Sequence, residues 1–220
     1  MRGGNDMPGG SPWLRLTGRQ PINVPDKPHL AGKDQVLFLR GLARAARYLE
    51  YGGGGSTVLA AQQGVSTVCI ESDRRYAEAL KSKIQPFDHH VVVHYADIGP
   101  TGRWGRPLRV FATPRRRRRY PNYVYAPDRY ADGGFFDLAL VDGRFRVACA
   151  LYLLLRAVEH RIPRLICFDD YVRRPQYHVI EEFCEPCRVG ENMAFFRPGP
   201  ANIRRLPDDA DIRAFCRHPM

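Results

Sequence analysis

Five short apolar runs, at residues 48–51, 67–71, 91–95, 136–141 and 165–168, alternate along this chain with stretches of helical periodicity. Strands separated by helical crossovers cannot pair as simple hairpins. They lie parallel, and each right-handed crossover covers one face of the sheet. The first helix is expected at residues 34–46, with Asp34 as N-cap and a stripe of Val36, Leu37, Leu39, Leu42 and Ala46. Others are expected at residues 56–63, closed by Gly64, and at residues 75–84 and 175–183. Residues 144–159 form the strongest, lined by Ala148, Leu151, Tyr152, Leu155 and Val158. Two last strands, near residues 187–189 and 193–196, flank Gly190-Glu191-Asn192 and read as a hairpin. The expected fold is an α/β three-layer α/β/α sandwich, its sheet mostly parallel with a C-terminal antiparallel hairpin strand.

Residues 1–33, rich in Gly and Pro, read as an arm or a strap, residues 34–198 as the domain and residues 199–220 as a tail. The longest apolar run, residues 148–155, is far short of a membrane span, and residues 1–10 lack an apolar signal core, so a cytoplasmic protein is expected. Net charge is +11, yet eight of the 34 basic residues lie between positions 98 and 127 with no acid among them. The remaining 26 basic residues face 23 acidic ones. The excess charge thus belongs to an insertion, residues 99–134, rather than to the fold, which disfavours a dedicated nucleic-acid domain and leaves an anionic ligand open. Trp104, Phe111, Tyr120, Tyr123, Tyr125 and Tyr130 interleave with its arginines, a mixture suited to sugars, nucleotides or other anionic ligands. The run Arg115–Arg119 reads more simply as a solvated, disordered loop. Six scattered cysteines include Cys184-Glu-Pro-Cys187, which Cys216 and His218 could complete as a zinc set. Buried thiols are the better reading.

In parallel sheets ligands bind beyond the carboxyl ends of the strands, so the residues just after each run matter most. After the first come Gly52-Gly53-Gly54-Gly55, where the backbone can turn sharply and a helix N-terminus follows. After the second comes Glu71, about 20 residues on, placed either to hold ribose hydroxyls or to begin a helix capped by Ser72 or Asp73. After the third, Asp97 could accept from an adenine amino group or close an Asx turn. After the fourth and fifth stand Asp142 and the pair Asp169-Asp170. Three converging carboxylates need an offsetting charge, from a divalent cation or from Arg144 and Arg146 as ion-pair partners.

The segment Glu50-Tyr51-Gly52-Gly53-Gly54-Gly55-Ser56-Thr57 resembles motif I of the class I S-adenosylmethionine-dependent methyltransferases, with Glu71 at their ribose acid and Asp97 at their adenine acid. The resemblance covers residues 34–197 and implies a Rossmann-like domain. It further implies S-adenosylmethionine as cofactor, held by Glu50, Gly52, Gly53, Gly54, Ser56, Glu71 and Asp97. Asp97-Ile98-Gly99-Pro100-Thr101, Trp104-Gly105-Arg106-Pro107 and the stretch from Val141 to Cys149 are similar to a group of methyltransferase-like proteins of about this size. Asp142 and Asp169-Asp170-Tyr171 also resemble the metal-dependent sugar and catechol O-methyltransferases, whose corresponding acids hold Mg2+. Gly143-Arg144 here replaces the second acid of the sugar enzymes.

These likenesses imply methyl transfer to a small-molecule or glycan-like hydroxyl. Asp142 would be the base, Asp142, Asp169 and Asp170 the metal ligands, and Trp104, Arg144 and Tyr171 the acceptor contacts. A non-catalytic relative that binds RNA or another polyanion through the arginine run is the alternative. A nicotinamide oxidoreductase fits worse, because the glycine offsets differ.

Overall fold

The computed structural model describes residues 22–87, 90–108, 113–133, 136–160 and 163–217. Residues 1–21 of the expected arm, Phe111 and His218 lie outside them. Seven strands form one sheet in the order β3-β2-β1-β4-β5-β7-β6. They are β1 Arg47–Tyr51, β2 Ser66–Glu71, β3 Val91–Tyr95, β4 Leu138–Val141, β5 Leu165–Phe168, β6 Arg188–Val189 and β7 Ala194–Phe196. The first five pair in parallel, while β7 runs antiparallel to both β5 and β6. Helices α1 (Gly32–Leu42), α2 (Gly55–Gln62), α3 (Arg74–Ile84) and α6 (Arg146–His160) alternate with the strands, giving the expected Rossmann-like α/β architecture. Within the insertion, α4 (Pro114–Arg117) and α5 (Pro121–Val124) are short. No helix among the described residues is long and apolar enough to cross a membrane.

Burial explains the central strands. Every residue of β4 is buried and only the first residue of β5 is less than fully so, as continuous apolar runs require in a sheet covered on both faces. One large core joins α6 to the insertion's Tyr120, Tyr123 and Val124, so these residues pack inward. Only the arginines around them stay out: Arg115, Arg117, Arg118 and Arg119 are exposed, and Arg115 and Arg117 lie in an ordered helical turn capped by Thr113 rather than in a disordered loop.

Three boundaries differ from expectation, each for a physical reason. Asp34 does not cap α1, which begins at Gly32 after Ala31. Its fully buried carboxylate instead accepts from the amides of Glu191, Asn192 and Met193 at 3.1, 2.7 and 2.9 Å, closing the turn between β6 and β7. The inward face of α1 is correspondingly Asp34, Phe38 and Leu42, with Val36 48% exposed. Residues 199–217 are also more than a tail. Asp208 and Asp211 form a capping box that starts α7 (Asp209–Cys216), whose Ile212 and Cys216 enter the main core. Finally, residues 175–182 wind as a 3-10 helix.

Residues 25–30 lie against the domain. They pass so close to α2 that a Cβ on Gly55 would lie 2.0 Å from the Lys27 carbonyl oxygen.

Candidate functional site

Tyr51 pairs with Ile70 on one side and Val141 on the other, so β1, β2 and β4 end level. The chain order reverses between β1 and β4, and there the glycine turn and Asp142-Gly143 emerge side by side. Gly52 has φ +91°, and a Cβ on it would sit 2.6 Å from the Cα of Gly143. A Cβ on Gly143 would sit 2.0 Å from the Tyr123 hydroxyl. Both positions need glycine for conformation or close approach.

A cleft of about 610 Å³ opens at this point, within the range of small-ligand sites. Gly52, Gly53, Gly54, Ser56, Glu71, Trp104, Asp142 and Arg144 all line it. Among the described residues, the non-glycine residues with left-handed backbone are Trp104, Phe145 and Asp170. Trp104 and Asp170 line the cleft and Phe145 follows Arg144. Such outliers gather where the surroundings over-determine the backbone, as functional sites do.

Glu50 is placed behind the turn rather than on the cleft. Fully buried, it accepts from the Ser56 hydroxyl and, at 2.5 Å, from that of Thr57. Burial pushes its carboxyl up to about 8, opposed by those two hydroxyls. It therefore braces the turn and the start of α2, and the Ser56 hydroxyl is spent on it. Glu71 does reach the cleft. Its Oε1 accepts from the amides of Ser72 and Asp73 at 2.6 and 2.8 Å and its Oε2 from the Gly53 amide at 3.2 Å. Burial raises its pKa and these amides oppose the rise. Asp73, accepting from the Tyr76 amide, is the cap of α3, which leaves Glu71 without a capping task. Oε2 carries one long hydrogen bond and keeps acceptor capacity.

Asp97 lies elsewhere. It lines a neighbouring pocket of about 660 Å³ with Arg74, Tyr95 and Arg119, accepting from the Gly99 amide at 2.8 Å and from Arg119 at 2.7 Å. Asp73 and Arg103 border both spaces. Tyr171 does not reach the cleft either. It is buried, donates to Glu181 at 2.6 Å and stacks on His178 at 4.6 Å between ring centres. The structure adds residues that strand ends do not flag: Pro25, Pro28, His29 and Leu30 ahead of α1, and Tyr123 and Arg106 of the insertion. For Arg106, the Trp104-Gly105-Arg106-Pro107 pattern was the available signal. Gly105 folds over the strand end, its carbonyl accepting from the Ser72 hydroxyl at 3.2 Å.

Asp142, Asp169 and Asp170 bring ligand oxygens within 4.8 Å of one another, and no other metal-ligating group gathers among the described residues; Cys216 in particular is core. A cation already serves the three acids. Arg146, 4% exposed, is 2.6 Å from Asp142, 3.2 Å from Asp170 and 3.9 Å from Asp169, and Arg174 adds a contact of 2.8 Å to Asp170. A divalent ion seated among these oxygens would meet the guanidinium head-on, so this donor set does not fit magnesium. Burial beside Asp142 still pushes the Asp169 carboxyl up to about 7. Burial also raises Asp142, with Arg146 opposing.

Arg144, the other expected counter-ion, contacts none of the acids. It is 6% exposed, and its Nε and Nη1 have no hydrogen-bond partner.

No protein-family model matches the chain, and no curated protein matches it. Among solved structures it is similar to a methyltransferase-like protein from Silicibacter pomeroyi DSS-3, with 33% identity over 87% of this chain and 99% of that one, at a TM-score of 0.67. It also matches cofactor-bound Rv0187 from MTB, at 18% identity over 81% and 84% and a TM-score of 0.49. A third match is an SAH-bound methyltransferase from Podospora anserina, at 11% identity over 77% and 80% and a TM-score of 0.44. The last two likenesses are too loose to carry argument.

Proposed function

Because the chain belongs to the class I S-adenosylmethionine-dependent methyltransferase-fold superfamily, we propose that it is a cytoplasmic enzyme that binds S-adenosylmethionine in the cleft and methylates a hydroxyl of a small or glycan-like acceptor. The observation that carries this reading is the convergence of Gly52–Gly54, Glu71 and Asp142 on one opening at the β1/β4 reversal.

S-adenosylmethionine, when bound, supplies an activated methyl group on a sulfonium. Glu71 is suited to the ribose hydroxyls through Oε2, and Asp97 bears on the adenine only from the adjoining pocket. Transfer is an in-line displacement, so holding the acceptor oxygen in line supplies much of the rate. Asp142, 40% exposed at the side chain, faces the cleft and takes up the acceptor proton. Arg146 orients that carboxylate at 2.6 Å. No step here passes through a metal.

Calorimetry with S-adenosylhomocysteine and with NAD tests the class. Saturable binding of the first and none of the second is expected, and the reverse would end the proposal. A second reading, a polyanion-binding protein, draws on the exposed arginines of Arg115–Arg119. Salt-dependent RNA affinity that vanishes when those five are neutralised, with no adenosylhomocysteine binding, would favour it.

A further inference from the structure

The charges around the cleft do not cancel residue by residue, and the remainder is one buried cation. Asp142, Asp169 and Asp170 all turn toward Arg146, and Asp170 also toward Arg174. Arg144 leaves the same β4 end, lines the same cleft and is buried to the same degree, yet no hydrogen bond, ion pair or ring contact reaches its guanidinium among the described residues. Its backbone is fixed instead: the Arg144 amide donates to the Tyr123 hydroxyl at 3.3 Å, and its carbonyl lies 3.4 Å from the Cys149 thiol.

The surroundings add to the cost of this cation. Burial, and after it the charge of Arg146, work against the Arg144 cation, Tyr123 and Tyr177 partly oppose them, and Arg106 adds a smaller repulsion. Arg106 is exposed at the surface and lines the mouth of the same cleft. A desolvated guanidinium without partners is strongly unfavourable, and arginine keeps its proton whatever the surroundings. A fork of N–H donors held in a cleft is suited to a planar oxyanion, taken two-pronged. Water could satisfy one donor, but it offsets no charge.

We infer that the methyl acceptor carries an oxyanion group, a carboxylate or a phosphate, which Arg144 receives inside the cleft with Arg106 as the second cation. This deepens the methyltransferase reading and rests on it: the hydroxyl to be methylated would belong to an acidic molecule, with Asp142 serving the hydroxyl and Arg144 the acid. The pairing also separates two arginines that are only two positions apart. Arg146 neutralises the protein's own carboxylates, and Arg144 is left for the ligand's.

The test uses the full chain saturated with S-adenosylhomocysteine and titrated by calorimetry with inorganic phosphate, with benzoate and with uncharged benzamide. Phosphate or benzoate is expected to bind saturably and benzamide not. Arg144→Met should weaken the preferred anion by tenfold or more while adenosylhomocysteine affinity stays put. Whichever anion loses most on this substitution identifies the group. Should Arg144→Met not fold, Arg144→Lys keeps the charge but removes the fork and should cost about fivefold or more. Arg106→Gln, at an exposed site, should weaken the same anion.

Absence of saturable anion binding, or equal binding by wild type and every Arg144 variant, overturns the inference and leaves the cofactor reading standing. Arg144-dependent anion binding in a protein that takes no adenosylhomocysteine would overturn the methyltransferase reading instead.

Discussion

Gly52 and Gly143 meet backbone to backbone at the reversal of the sheet, so closely that a methyl group on Gly52 would sit 2.6 Å from the Cα of Gly143. The contact locks the glycine turn to the acidic turn that follows β4. Gly143→Ala would put its new carbon 2.0 Å from the Tyr123 hydroxyl. Relief of that overlap should cost about 1–3 kcal/mol in a urea titration. An unchanged midpoint would mean that the two turns do not touch in solution.

Asp142→Asn removes a proton acceptor but keeps its shape. On the proposed chemistry kcat should fall by roughly 10²–10⁴, while adenosylhomocysteine titrates as in the wild type. Undiminished turnover by a mass-spectrometric methylation assay would remove Asp142 from the chemistry.

Glu71→Gln tests the ribose contact. The amide can still accept, yet it loses its charge, so adenosylhomocysteine affinity should drop about tenfold to a hundredfold, the worth of one or two charge-assisted hydrogen bonds. Equal dissociation constants by calorimetry would show that Glu71 serves only the amides of Gly53, Ser72 and Asp73.

Arg146 predicts both an ion dependence and a pH dependence. Added magnesium should leave the melting temperature and turnover of the wild type unchanged, and a clear rise would place an ion among Asp142, Asp169 and Asp170. Arg146→Met should cost about 3–5 kcal/mol, because it strands buried charge. The loss should be greater at pH 8 than at pH 5.5. Asp169 is raised in the folded protein to about 7, so its contribution is present at low pH and is lost as pH climbs through that value. Removing its cation deepens that loss.

Glu50 gives a second pH signature of the same sign. Its carboxyl rises from the ordinary 4.5 to about 8 on folding, so the folded state holds a proton that the unfolded chain has released. Stability should therefore decline between those two values at up to about 1.4 kcal/mol per pH unit. Glu50→Gln should flatten the decline, as followed by urea titrations across the range. Parallel slopes would show that Glu50 is already ionised in the folded protein.

The fold was readable wherever local pattern and global burial agree. The run at residues 165–168 coincides with β5 because a strand covered on both faces is apolar throughout. The run at residues 91–95 coincides with the edge strand β3, where Val91 and Val93 face inward and Val92 is exposed. Glu71 and Asp142 were readable because topology alone brings strand ends together. What sequence could not show depends on partners distant along the chain. Asp34 looks like a helix cap until the amides of residues 191–193 are seen around it. Glu50 and Tyr171 sit beside cleft-lining positions but turn inward, and nothing local marks the difference. Two arginines with the same immediate neighbours, Arg144 and Arg146, divide into one paired and one unpaired side chain. The helix α7 was missed although a local signal existed, since Asp208 and Asp211 spell a capping box ahead of Ile212.

The Asp34 anchor has a kinetic side. It joins groups 157 to 159 positions apart, so the ordering of α1 against the sheet must wait until nearly the whole polypeptide is available. Closing so long a loop is entropically slow and is rewarded only late. During synthesis Phe38 and Leu42 would therefore remain without Met193 and Phe195, their partners in one apolar cluster, and the nascent chain would carry an uncovered oily patch until its final strands leave the ribosome.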